Sequence, residues 1–118
     1  MPPEYDAMLA VATRMRNMII ENQPALDIIA FYDSVGTMFY IDPPYIGTGK
    51  SYECPMSVED HIRLAHMLCK VKGFVIVSGL HNKLYDTLYT KWRCVEYPGL
   101  NMRSNHFTEC LWINYDVV

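Results

Sequence analysis

Cysteine pairs at metal-binding spacing are missing from this sequence: Cys54, Cys69, Cys94 and Cys110 are scattered, with no CxxC among them. Neither a zinc site nor a tight disulfide framework is signalled, and the expectation is reduced, buried thiols in a cytosolic protein. No apolar run approaches the ~18–20 residues that a membrane span needs, and the N-terminus lacks a basic stretch followed by an apolar one. A soluble, cytoplasmic protein with no membrane partner is therefore expected. Basic charge is not in excess: 10 Lys and Arg against 13 Asp and Glu give a formal net charge of -3. A free-standing nucleic-acid binder generally presents a basic surface, so composition alone argues against that class. Glycine and proline, at 6 and 7, are too few for a disordered chain, and no repeat or linker interrupts it.

What is present is one domain's worth of core. A chain of 118 residues, 51% apolar and 19% charged, suits a single domain over 1–118. Residues 5–16, "YDAMLAVATRMR", space their apolar side chains helically and end in two arginines that suit a helix C-terminus. "NMIIEN" reads as a short strand. "QPALDIIAFYD" reads as a helix with Pro24 in its first turn and apolar residues at 25, 26, 28, 29 and 32. "TMFYID", 37–42, is a continuous apolar run of the kind buried on both faces of a parallel sheet. Ser57 and Asp60 form a capping-box-like start to "VEDHIRLAHMLCKV", and Gly73 is its natural stop. "FVIVSG" is the next buried strand, "NKLYDTLYTKW" a short helix, and "RCVEYPG" and "TECLWINYD" are two strands able to pair as a hairpin. The sum is an α/β fold, mostly parallel, with a terminal antiparallel hairpin.

The stretch "IDPPYIGTGKSYE", 41–53, offers two chemistries. Its end, Gly47-Thr48-Gly49-Lys50-Ser51, looks like a phosphate-gripping loop, but G-x-x-x-x-G-K-[ST] needs a first glycine where Pro44 stands. Proline offers no amide hydrogen, and the next helix starts only after Pro55, so these residues read as a surface loop. Its beginning, Asp42-Pro43-Pro44-Tyr45, follows a buried strand, where open α/β sheets place their ligands. Two prolines hold backbone carbonyls rigid and free to accept from outside, Asp42 adds a second acceptor, and Tyr45 a flat face. That set fits an exocyclic amine on a purine or pyrimidine ring. It fits equally a stiffened strand exit with a surface aspartate.

With its surroundings, this turn resembles the adenine-specific DNA methyltransferases of the DNA adenine methylase type, often phage-associated. "IIENQPALDIIAFYDSVGTMFYIDPPYIGT", "MSVEDHIRLAHMLCKVKGFVIVSGLHNKLYDTLY" and "TECLWINY" look like successive segments of that family, a likeness running from about residue 10 to 116. The resemblance implies a Rossmann-like methyltransferase fold, S-adenosylmethionine as donor, and double-stranded DNA with a flipped adenine as substrate. By it, Asp42 and the Pro43 carbonyl accept from the adenine N6 amino group, Tyr45 stacks on the ring, and Pro44 and Phe107 line the base pocket. Asn22, then Gln23, are the candidates for the cofactor's adenine. Direct displacement needs no cysteine nucleophile.

Other tempting residues read as structural. His61 and His66 lie five apart, so they do not share a helix face as ligands. Trp92, Trp112, Tyr85 and Tyr89 fall at apolar-face positions, and Arg103, Ser104, Asn105 and His106 form a polar loop. Two family features are absent: the glycine-bearing turn for the donor's methionine part, since Gly36 is the only glycine upstream of Asp42, and the DNA-recognition region. The chain is therefore expected to be a carboxyl-terminal part of a methyltransferase, either half of a split enzyme or a non-catalytic remnant. Its exposed edges should be met by "NMIIEN" moving in beside "TMFYID", by a homodimer, or by a missing amino-terminal half.

Overall fold

The computed structural model describes residues 2–46, 55–98 and 108–115. The elements run α1 (Pro3–Met15), α2 (Ala25–Tyr32), β1 (Met38–Ile41), α3 (Val58–Leu68), β2 (Phe74–Leu80), α4 (Lys83–Leu88), β3 (Arg93–Pro98) and β4 (Thr108–Ile113). They form an α/β fold around one four-stranded sheet of order β1-β2-β4-β3. The expected parallel crossover joins β1 to β2, with Phe39 opposite Val75. β4 enters between β2 and β3 and runs antiparallel to both, so the sheet is mixed and not mostly parallel. The terminal hairpin is present as β3 and β4, with Glu96 opposite Cys110.

The helix signals hold where the chemistry is local. Ser57 accepts from the Asp60 amide while the Asp60 carboxylate accepts from the Ser57 amide, a full capping box. Pro3 opens α1, and Pro24 stands at the N-cap of α2. After α3 the chain turns at Gly73, where a Cβ would meet the Thr37 carbonyl oxygen at 2.6 Å. The Asp33 carboxylate accepts from the Lys72 and Gly73 amides and ties that turn to the end of α2.

Alternation sorts the strands into two faces. One face carries Phe39, Val75, Val77, Cys110 and Trp112, which form the core with Leu64, Ala65 and Leu68 of α3 and with Tyr85 and Tyr89. The aromatic residues expected in the core are there: Trp112 meets the Tyr85 ring edge to face at 5.1 Å, and Trp92 packs against the cluster from its rim. His61 is fully buried beside them, 2.8 Å from the Tyr85 hydroxyl through Nδ1, and burial lowers its pKa.

Three expectations are corrected. Residues 17–22 form no strand: Ile19 and Ile20 are exposed, and the segment does not pair beside β1. Apolar, β-branched residues make a strand only when a ladder receives them, and none does so here. β1 is buried on one face alone, with Met38 58% and Tyr40 61% exposed on the other, where no described helix covers it. Of the three described cysteines only Cys110 is buried; Cys69 and Cys94 are exposed. No described helix is long and apolar enough to cross a membrane.

Candidate functional site

The chain leaves β1 at Ile41 and enters Asp42-Pro43-Pro44-Tyr45. Pro43 is buried, Pro44 and Tyr45 are half-buried, and Asp42 is exposed. Two rings that cannot rotate about φ hold this exit in a single course. The neighbouring strand supplies the anchor: the Ser78 hydroxyl donates to Asp42 Oδ1 at 3.0 Å and lies 3.4 Å from the Ile41 carbonyl. Ser78 is 7% exposed, so its hydroxyl sits in a setting that leaves it few alternatives to the carboxylate.

Two clefts meet at Asp42. One, of about 370 Å³, is lined by Ala25 and Leu26 at the start of α2, by residues 40–44, and by Met56, Asp60, Arg63 and Leu64. Its walls are mainly apolar, suited to a flat ring, and its polar groups are concentrated at Asp42, Asp60 and Arg63. Asp60 is already engaged by the capping box and by Arg63 Nη1 at 3.2 Å, and the hydrogen bond from the Ser57 amide holds its carboxyl below the usual range. The Asp42 carboxylate is thus an exposed acceptor in this cleft that no described cation neutralises. The second cleft, about 320 Å³, is lined by Asp42, Pro43, Pro44 and Tyr45. At the edge of the sheet, a hydrogen bond to Glu109 pushes the Tyr97 phenol up to about 12, with burial adding to it.

The sequence-derived cofactor candidates do not join this group. Gln23 opens on a separate cleft of about 270 Å³ with Glu21, Asp27, Ile28 and Phe31, and Asn22 is exposed. Residues 47–51, Phe107 and residues 103–106 lie outside the described residues. Sequence reasoning missed Ser78 and Arg63. The lone hydroxyl in the apolar run "FVIVSG" was a usable signal for Ser78; Arg63 had none beyond its place on α3. No family model matches the chain, and no curated protein matches it significantly.

Proposed function

We propose that the chain is the base-binding part of a site-specific DNA methyltransferase that moves a methyl group from S-adenosylmethionine to the N6 amino group of a flipped adenine. The observation that carries this reading is Asp42: a carboxylate at the carboxyl end of β1, fixed by Ser78, beside a rigid diproline and between two clefts. Asp42 Oδ2 and the Pro43 carbonyl accept from the amino group and aim the nitrogen lone pair outward, while Tyr45 and Pro44 supply flat contact to the ring. The donor supplies a methyl carried on a sulfonium. When the methyl passes to nitrogen, leaving a neutral thioether behind, the Asp42 carboxylate would oppose the positive charge growing on that nitrogen, whose surplus proton then passes to solvent, and positioning does the rest. The apolar cleft reaching Ala25 and Leu26 suits the donor's ring end. Among the described residues none forms a glycine-bearing turn for its methionine part.

That gap favours a second reading, in which the chain is a non-catalytic remnant or half of a split methyltransferase. The separation of Gln23 from the Asp42 cleft is the specific observation behind it. The partner is then a second copy meeting the open edge of β1, or another chain carrying the amino-terminal half.

Calorimetric titration of the purified chain with S-adenosylmethionine decides between them. Saturable binding near one donor per chain or per dimer supports the enzyme, and methylation of adenine in duplex DNA then follows, with Asp42→Ala losing turnover far more than DNA affinity. No heat from a folded sample leaves the second reading.

A further inference from the structure

On the α3 side of the sheet, at its far edge, three different donor types converge from distant parts of the sequence. Glu96 and Cys110 are directly paired across β3 and β4, and Cys110 also stands opposite Gly79 on β2. His81 extends the β2 ladder by one residue, its amide donating to the Thr108 carbonyl at 2.8 Å. As a result one nitrogen of His81, one oxygen of Glu96 and the Cys110 sulfur all lie within 4.8 Å of one another.

The orientation of the imidazole narrows what this group is for. His81 Nε2 lies 2.7 Å from Asp86 Oδ2, so Nε2 carries the hydrogen that the carboxylate accepts. Nδ1 then faces Glu96 Oε1 at 3.6 Å. A neutral ring sets the Nδ1 lone pair beside a carboxylate there, an arrangement of two donors that a metal cation between them can bridge. Metal-bound histidines are held in this way, one nitrogen on the ion and the other donating to a carboxylate.

We propose that His81, Glu96 and Cys110 form a binding site for one divalent transition-metal ion of the zinc class, with Asp86 as the residue that positions the imidazole. Thiolate with imidazole selects this class over magnesium or calcium, which take oxygen ligands. Ligand atoms ~2.0–2.3 Å from zinc stand roughly 3.3–3.8 Å apart, so His81 and Glu96, 3.6 Å apart, are already at ligand spacing and Cys110 has at most about 1 Å to close. Burial pushes the Cys110 thiol up to about 12, and the ion reverses this by binding the sulfur as thiolate, the displaced proton leaving to solvent. Cys94, two residues before Glu96 on β3, is exposed. Three protein ligands would leave the fourth position to water, and the ion would tie the exit of β2 to the β3–β4 hairpin.

Cobalt(II) titrated into the reduced, metal-free chain reads this directly. The expected result is one ion per chain, a thiolate-to-cobalt charge-transfer band, displacement by zinc, and a rise in melting temperature. Cys110→Ala loses the band. Asp86→Asn keeps the band and weakens cobalt affinity ~10–100-fold, as the loss of a carboxylate behind a ligating histidine does. Should Cys110→Ala fail to fold, Glu96→Gln at an exposed position gives the same reading through affinity. A band that survives Cys110→Ala, an affinity unchanged in Glu96→Gln, or no band in the parent chain overturns the site and leaves only the contacts of His81 with Asp86 and Glu96.

Discussion

The Ser78 hydroxyl donates to Asp42 Oδ1 at 3.0 Å, so the second strand of the sheet sets the orientation of the carboxylate that ends the first. A serine in the middle of an apolar strand costs burial of a polar group, which the paired carboxylate offsets. Asp42 stays exposed, and among the described residues no hydrogen bond reaches its second oxygen.

Ser78→Ala removes the donor and leaves Asp42 to water, which can still solvate it. Urea unfolding should show a loss of about 1 kcal/mol, the usual net worth of one hydrogen bond. If the chain or its assembled form transfers methyl groups, the rate falls with KM for DNA little changed, because Ser78 acts through Asp42. An unfolding midpoint equal to the parent's would mean that the bond contributes nothing.

Much of this arrangement is legible in the sequence, and the illegible remainder has a common cause. Ser57 with Asp60, the diproline exit and the buried aromatic residues Tyr85, Tyr89 and Trp112 rest on local chemistry or on strong periodicity, and the structure has them. The fate of residues 17–22 depended on whether a neighbouring strand would receive them, which no local propensity encodes. The exposure of Met38 and Tyr40 depended on whether a helix would cover that face. The run "TMFYID" reads the same either way. The convergence of His81, Glu96 and Cys110 is a matter of strand register between distant segments, and spacing arithmetic on cysteines alone passes over it. Asp42 was visible as a residue type in a turn; its anchor on Ser78 was not, since nothing local pairs position 42 with position 78.

Gly73 is a packing requirement rather than a flexible joint. Its missing Cβ would stand 2.6 Å from the Thr37 carbonyl oxygen and 3.1 Å from that of Ser34, both backbone atoms with little room to retreat. Gly73→Ala therefore forces apart the turn before β2 and the start of β1, at a cost of about 1–3 kcal/mol typical of overpacking. Gly36, whose nearest neighbour to an added Cβ is the Ser34 hydroxyl at 4.0 Å, serves as the control and should tolerate alanine. Equal melting temperatures for the two variants would refute the steric reading.

The capping box offers a similar local test. Ser57→Ala frees the Asp60 amide and loosens the first turn of α3, with an expected cost of about 1 kcal/mol. Because Asp60 and Arg63 line the cleft beside Asp42, the same change should alter ligand binding there more than at the Gln23 cleft. Unaltered helix stability would place the origin of α3 in its tertiary packing alone.

Stability should fall in mildly acidic solution, and His61 is the group responsible. Burial holds its imidazole below the ordinary value of about 6.5, with nearby Asp60 opposing weakly. As pH drops the unfolded chain takes up this proton first, so the contribution is complete above about 6.5 and is lost as pH falls through the lowered folded value. One proton limits the slope to about 1.4 kcal/mol per pH unit. Tyr85, whose phenol is itself raised by burial, keeps its hydrogen throughout and can donate it to Nδ1 only while that nitrogen is unprotonated. Unfolding measured from pH 7.5 to 5 should show the decline in the parent chain and a flatter profile in His61→Gln, whose amide does not titrate. Identical profiles would assign the decline to other groups, while a steeper one in the variant would mean that protonated His61 finds a partner inside the core.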